Sequence, residues 1–337
     1  MSATIKDVAL LAGVSTTTVS HVLNKTRFVA PATHERVMRA ADELHYAPSA
    51  VARSLKSKNT KSLGMLVTTT LNPFFAEVVK EVERQCYQQG YNLVLCNTDG
   101  ELEKTTSYLL MLSQKRVDGI LVMCSEYDDS LFGAAIGKRD LPMVVMDWGP
   151  SGDYVDRIQD NSLKGAHLAI NHLIEQGHRQ IAYIGGPLEK LPARQRYDGF
   201  FEAMAEAGLS VRPEWVIESN FEFEGGRLGM RALLACETLP SAVFIGNDAM
   251  AMGAMSEAQL AGIDIPAALS VIGYDNCLYS AYLSPPLTTI DQPKRRLAEQ
   301  AVATMIERID NPRQTGRVIM LEPDLVIRSS VRALSKK

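Results

Sequence analysis

Only five cysteines occur in the 337 residues: Cys86, Cys96, Cys124, Cys236 and Cys277. They are scattered, odd in number and contain no Cys-x-x-Cys, which argues against both a disulfide framework and a zinc site. No run approaches the roughly 18 apolar residues needed to span a bilayer, and the N-terminus lacks an apolar leader core. The chain therefore reads as soluble, reduced and cytoplasmic. Catalytic signatures are also missing: there is no Gly-x-x-x-x-Gly-Lys phosphate loop, no Gly-x-Ser-x-Gly elbow and no His-Glu-x-x-His. The six histidines (His21, His34, His45, His167, His172 and His178) fall at no metal-ligand spacing. Neither an enzyme nor a cofactor is expected. The last residues, Ser335-Lys336-Lys337, carry no heptad repeat, so a coiled-coil tetramer is not expected either.

The net charge is only −4, too little to mark the whole chain as a nucleic-acid binder. It is unevenly spread. Residues 1–60 hold eight Lys/Arg against four Asp/Glu, a net +4 that leaves −8 for the rest. A basic head on an acidic body suggests that only the head meets phosphate. Within the head, Ile5 to Asn24 reads as two short helices joined by a tight turn. Gly13 suits the left-handed turn, Ser15 the N-cap, and Val19, Val22 and Leu23 the buried face of the second helix. Thr16, Thr17 and His21 are left outside as a small polar face without acidic residues, able to enter a major groove. Lys25 and Arg27 follow, placed to hold phosphates. A third helix is expected from Pro31 to His45, burying Val37, Ala40, Ala41 and Leu44.

From Ser62 onward, apolar runs alternate with helical stretches: 63–67, 93–96, 119–123 and 142–146, then, after Asp160-Asn161, 181–184, 215–217, 242–245 and 270–273. This is the pattern of two doubly wound parallel sheets. Ligands of such sheets sit at the carboxyl ends of the strands, and with two lobes that place is the cleft between them. The residues there are Asn72, Phe74, Phe75, Asp147, Trp148, Arg194, Phe221, Asn247, Asp275 and Gln292, a set of aromatic faces and hydrogen-bonding forks. Asn161 and Asp248 are placed to cap the helices they precede.

Three motifs and their continuations, Thr4-Ile5-Lys6-Asp7-Val8-Ala9, Ala12-Gly13-Val14-Ser15 and Thr18-Val19-Ser20 with Leu23-Asn24, resemble the helix-turn-helix of the lactose-repressor family of bacterial transcription regulators. The resemblance extends over the whole chain. It implies a helix-turn-helix domain at 1–47 and a hinge helix and linker at 48–61. It implies a first lobe at 62–160 and 293–322, and a second at 161–292 and 323–330. The terminal strands cross back to complete the two lobes. It further implies that the hinge helix pairs with that of a second copy in the minor groove. There Leu55 wedges between base steps, flanked by Arg53 and Lys56. The implied partners are a palindromic operator, a second copy of the chain, and a small effector.

The body is also similar to periplasmic ribose-binding proteins, whose sugar contacts carry over onto Asn72, Phe74, Phe75, Asp147, Arg194, Phe221, Asn247, Asp275 and Gln292. Trp148 departs from that pattern, since the transport proteins have a basic residue there. Within the regulator family the ribose-responsive members are the nearest, through Asn97-Thr98, Ile158-Gln159-Asp160-Asn161-Ser162, Pro192-Ala193-Arg194 and Gly246-Asn247-Asp248-Ala249. The purine-responsive members come next, through Lys115-Arg116-Val117-Asp118-Gly119 and Cys124-Ser125-Glu126-Tyr127. The sequence thus points to a repressor released from DNA by a sugar, ribose, with a repressor tightened by a purine base as the alternative.

Overall fold

The computed structural model describes residues 3–25, 27–46, 59–124, 141–147, 149, 152, 154–313 and 315–334. The chain divides into two units, Met1–Thr60 and Lys61–Lys337. The first contains helices α1 (Ile5–Ala12), α2 (Thr16–Asn24) and α3 (Pro31–Glu43). The Asp7 carboxylate accepts the backbone N–H and the hydroxyl of Thr4, both at 2.8 Å, and ties down the start of α1. Gly13 ends that helix at φ 64°. Ser15 Oγ then accepts the Thr18 N–H at 3.1 Å and opens α2, a cap of the kind that contributes about 1 kcal/mol. Val8, Ala9, Ala12, Val19, Val22, Val37, Ala40 and Ala41 form one small core, with Leu23 and Leu44 packed against it. The third helix stops at Glu43, short of the expected His45, because His45 turns the chain at φ 46°.

The second unit contains two six-stranded sheets. The first sheet comprises β1 (Ser62–Val67), β2 (Asn92–Asn97), β3 (Gly119–Met123), β4 (Met143–Met146), β5 (Asp156–Asp160) and β11 (Val318–Leu321). Its order is β11-β5-β4-β3-β1-β2. The second comprises β6 (Ile181–Gly185), β7 (Val216–Glu218), β8 (Ala242–Ile245), β9 (Ser270–Asp275), β10 (Thr288–Asp291) and β12 (Asp324–Val326). Its order is β12-β10-β9-β8-β6-β7. The two orders match strand for strand, and among the described pairings only β10 with β12 is antiparallel. The connecting helices are α4 (Pro73–Gln88), α5 (Leu102–Gln114), α6 (Ser162–Glu175), α7 (Leu191–Glu206), α8 (Phe223–Leu234), α9 (Asp248–Leu260) and α10 (Lys294–Asp310). After α10 the chain gives β11 to the first sheet and β12 to the second, so the lobes are joined by several crossings rather than one.

Besides the terminal β11 and β12, which the resemblance implies, two internal strands have no counterpart in the apolar runs. Residues 156–160 read Asp-Arg-Ile-Gln-Asp and residues 288–291 read Thr-Thr-Ile-Asp. Each is a strand because it lies between neighbours, β5 between β4 and β11, and β10 between β9 and β12. Ladder hydrogen bonds on both sides replace the local hydrophobic signal. Asp156 is fully buried in β5 and is compensated by Arg308 at 2.7 Å and Arg313 at 2.8 Å. Paired in this way, its carboxyl stays below the usual range although burial works against it.

Candidate functional site

Thr16 and Thr17 lie exposed on the first turn of α2, and His21 lies partly buried one turn after Thr17. Lys25 follows the helix in the left-handed region at φ 51°, and Lys25 and Arg27 are both exposed. The unit therefore presents hydroxyls, an imidazole and two cations on surfaces that do not compete with its core. Arg53, Leu55 and Lys56, the residues expected to form the hinge, fall outside the described residues.

In the second unit, the loops past the strand ends converge on a partly open pocket lined by Asn72, Phe74, Phe75, Arg196, Phe221, Asn247, Asp275 and Gln292. Asn72 ends the loop after β1. Its Oδ1 accepts the Phe74 N–H at 3.0 Å and caps α4, whose first turn sends Phe74 and Phe75 inward as an edge-to-face pair with centroids 5.7 Å apart. Asn247 caps α9 in the same way, accepting the Met250 N–H at 2.8 Å, and its amide donates to Phe221 O at 3.0 Å. Both functional ends of Asn247 are thus engaged within the protein. The expected cap at Asp248 is displaced by one residue. Asp248 is fully buried, and its carboxylate accepts the Cys277 N–H at 2.9 Å, the Thr289 hydroxyl at 2.7 Å and the Ser280 hydroxyl. Asn161 does act as a cap, accepting the Lys164 N–H at 3.2 Å.

The cation of the cavity is Arg196, not Arg194. Arg196 is 2% exposed, donates to Gly246 O at 2.6 Å, lies over the Tyr274 ring at 3.8 Å and stands 4.0 Å from Asp275. Arg194 is exposed and, among the described residues, reaches toward the Tyr197 ring, 5.9 Å from its centroid. The reason is helical phase. On α7, Ala193, Arg196, Gly199, Phe200 and Ala203 share the buried face at spacings of three and four, whereas Arg194 points the other way. The signal was in the sequence: in Pro-Ala-Arg-Gln-Arg, only the second arginine keeps phase with the apolar residues after it.

Asp147 is buried at the end of β4 in the left-handed region at φ 59°, and its Oδ1 accepts the Asp160 N–H at 3.3 Å. It does not line the cavity but faces the network behind it. There the Tyr274 hydroxyl of the second sheet donates to Asp160 Oδ2 of the first at 2.6 Å, and Ser162 donates to the same oxygen at 3.0 Å. Asp160 and Tyr274 were not among the expected site residues, because a polar strand end and a strand-interior tyrosine give no local hint of meeting. Burial, and then the charge of Asp147, push the Asp160 carboxyl up to about 7. Burial also pushes Asp275 up to about 8, against the pull of Arg196. Gln292 donates to Asp275 Oδ1 at 2.7 Å, and its own Oε1 is buried in the cavity wall without a hydrogen-bond partner among the described residues. Trp148 falls outside the described residues. Among the described residues, no three His, Cys, Asp or Glu side chains group as a metal site, and no helix is long and apolar enough to cross a membrane. The cavity offers aromatic faces and a compact set of donors and acceptors, which is recognition chemistry for a small ring with polar edges.

Residues 4–49 match the family described as bacterial regulatory proteins, lacI family, and residues 170–331 match a periplasmic binding protein-like domain. A curated relative from Photobacterium profundum, named HTH-type transcriptional repressor PurR, is 53% identical over 99% of this chain and 100% of its own length. The structure of a Lac repressor dimer bound to operator and the anti-inducer ONPF superposes with a TM-score of 0.88 at 28% identity, covering 99% of this chain and 100% of that one. A LacI family transcriptional regulator from Enterococcus faecalis with bound ribose superposes with a TM-score of 0.74 at 30% identity, over 81% of this chain and 100% of that one. The relative's name backs the purine alternative ahead of the ribose reading drawn from the sequence. Head, body and full-length likeness agree at the coarser level: the chain belongs to the lacI family of bacterial regulatory proteins and is a DNA-binding transcriptional repressor.

Proposed function

We propose that the repressor's hold on its operator is set by a small molecule enclosed between the two lobes, and that this molecule is a purine base. The carrying observation is the balance of the cavity. Three phenylalanines, Phe74, Phe75 and Phe221, supply flat apolar faces, while Arg196 and Asp275 supply one strong donor and one acceptor. A planar base has two π faces and a rim of ring nitrogens and a carbonyl, which such a pair can address. The name of the curated relative at 53% identity supports the same reading. The asparagines of the pocket, whose amides could address hydroxyls, carry less weight. Asn247 is engaged at both ends, and Asn72 is engaged through its carbonyl. In this reading, ligand binding tightens the grip on the operator.

Ribose is the second reading, and a specific observation favours it. The Asn72 amide, Arg196, Asp275 and the Gln292 Oε1, which has no hydrogen-bond partner among the described residues, approach from both lobes, as a ring of hydroxyls would require, and a solved family member holds ribose. A missing hydroxyl would then leave a buried partner unpaired, which is a source of selectivity. In this reading, the ligand releases DNA.

Two copies pair through their bodies, as a two-fold operator requires, and the similar Lac repressor structure is a dimer on its operator. In this reading, the segment 48–61 carries the effect to the minor groove through Leu55. The test is calorimetry of the full chain with hypoxanthine, guanine and ribose, together with operator binding followed by fluorescence anisotropy. Purine binding with tightened operator affinity is expected. Binding of ribose alone, with loss of operator affinity, replaces the first reading by the second. No effect of any of the three on operator affinity overturns both.

A further inference from the structure

We infer that Glu77 and Lys294 form a clamp across the mouth of the cleft that positions Asp275 for the ligand, although neither residue lines the cavity. This rests on the reading that the cleft takes an effector. Both residues belong to the first lobe. Glu77 lies one turn beyond Phe74 on α4, and Lys294 opens α10, which packs against α4 and against β3, β4 and β5. Both reach one short segment of the second lobe, residues 275–278. Glu77 Oε1 accepts the Leu278 N–H at 2.7 Å. Lys294 Nζ donates to Asp275 O at 2.6 Å and to Asn276 O at 3.0 Å. The ammonium also stands 3.8 Å from Glu77 Oε2 and 3.6 Å from Asp291 Oδ1.

The segment needs such support. Asp275 and Asn276 are consecutive non-glycine residues at φ 114° and 51°, a conformation that persists only when surrounding contacts fix it. From the second-lobe side, Asn276 is held by Asp291 at 2.8 Å and by Arg328 at 2.6 Å. From the first-lobe side, the contacts are those of Glu77 and Lys294. The Lys294 side chain is only 11% exposed and that of Glu77 27%, so water competes weakly for their hydrogen bonds. The clamp forms only when the lobes approach, and it fixes the backbone that aims the Asp275 carboxylate at Arg196 and Gln292. Part of the free energy of closure is thereby tied to the geometry of the binding site.

The test uses three full-length variants. Glu77→Ala removes the acceptor and the charge. Glu77→Gln keeps an acceptor for the Leu278 N–H. Lys294→Met serves as the second variant should Glu77→Ala fail to fold. Hydrogen bonds to charged groups are among the stronger ones, so Glu77→Ala is expected to raise the effector dissociation constant about tenfold. Small-angle scattering of the unliganded protein should show a larger radius of gyration. Glu77→Gln should recover most of the affinity, and Lys294→Met should move affinity and radius in the same direction as Glu77→Ala. An effector affinity within twofold of wild type in both Glu77→Ala and Lys294→Met overturns the clamp, as does a Gln variant as weak as the Ala variant. If the wild-type chain binds neither purine nor ribose, the effector reading fails by itself. The scattering then decides the clamp: an unchanged radius refutes it and an increased one upholds it.

Discussion

Replacing Arg196 by methionine tests how the cleft is held together. Methionine fills much of the arginine's volume with a flexible apolar chain, so the change isolates the charge and the hydrogen bonds. In the wild type the guanidinium is 2% exposed, bonded to Gly246 O at 2.6 Å and 4.0 Å from the buried Asp275. Removing one partner of a buried pair typically costs about 3–5 kcal/mol. Asp275 has a partial escape, because burial already pushes its carboxyl up to about 8 and it can remain protonated when the cation is lost. The expected loss therefore lies at the lower end, about 3 kcal/mol, which for a unit of this size lowers the melting temperature by about 5 °C. Thermal melts followed by circular dichroism at pH 7.5, with Arg194→Ala run in parallel, supply the comparison. Arg194→Ala should melt with the wild type and respond to effector normally, since its side chain is exposed. Arg196→Met should lose the response and still bind operator. A melting temperature within 2 °C of wild type with effector binding intact would refute the assignment of Arg196 as the cleft's cation. Loss of the response in Arg194→Ala would refute it from the other side.

The Asp160 carboxyl, raised to about 7 by burial and then by Asp147, holds its proton longer in the folded than in the unfolded chain. Its contribution to stability is therefore full below about pH 4 and is lost as pH rises toward 7. Asp160→Asn lacks this titration, so its melting temperature relative to wild type should rise between pH 5 and pH 8, and a constant difference would contradict the account. Gly165 lets Tyr274 approach α6, and a Cβ there would stand 2.2 Å from the phenolic oxygen. Gly165→Ala should therefore displace Tyr274 from Asp160 and lower stability by about 1–3 kcal/mol in urea unfolding, with an unchanged midpoint as the disproof. Thr17→Ala on the exposed face of α2 should weaken specific operator binding about tenfold and leave binding to unrelated DNA unaltered. Equal losses on both DNAs would mean that Thr17 touches only backbone.

The head was legible almost residue by residue because its determinants are local. A glycine that tolerates φ 64°, a serine that caps the next helix, and apolar positions one turn apart each act over four residues or fewer. The apolar strands were legible for a similar reason: burial on both faces imposes an unbroken apolar run. β5 and β10 were not, since their sequences are polar and their strand character comes from partners distant in the chain. The cleft was legible in part. The loops past the strand ends supplied Asn72, Phe74, Phe75, Phe221, Asn247, Asp275 and Gln292, but the arginine was assigned two residues away from the one that lines the cavity.

What the chain's order of residues determined by itself was the kind of protein: a capped helix-turn-helix on a basic head and two doubly wound sheets. Each of those features is set by short-range sterics, capping and hydrophobic period. What only the tertiary structure decided was which polar groups meet. Helical phase on α7 chose Arg196 over Arg194, and the meeting of two sheets put Tyr274 against Asp160 across 114 residues of chain. Packing also left Asn247 holding a helix rather than reaching for a ligand. Such pairings depend on distances between elements far apart in sequence, and no local preference encodes a distance of that kind.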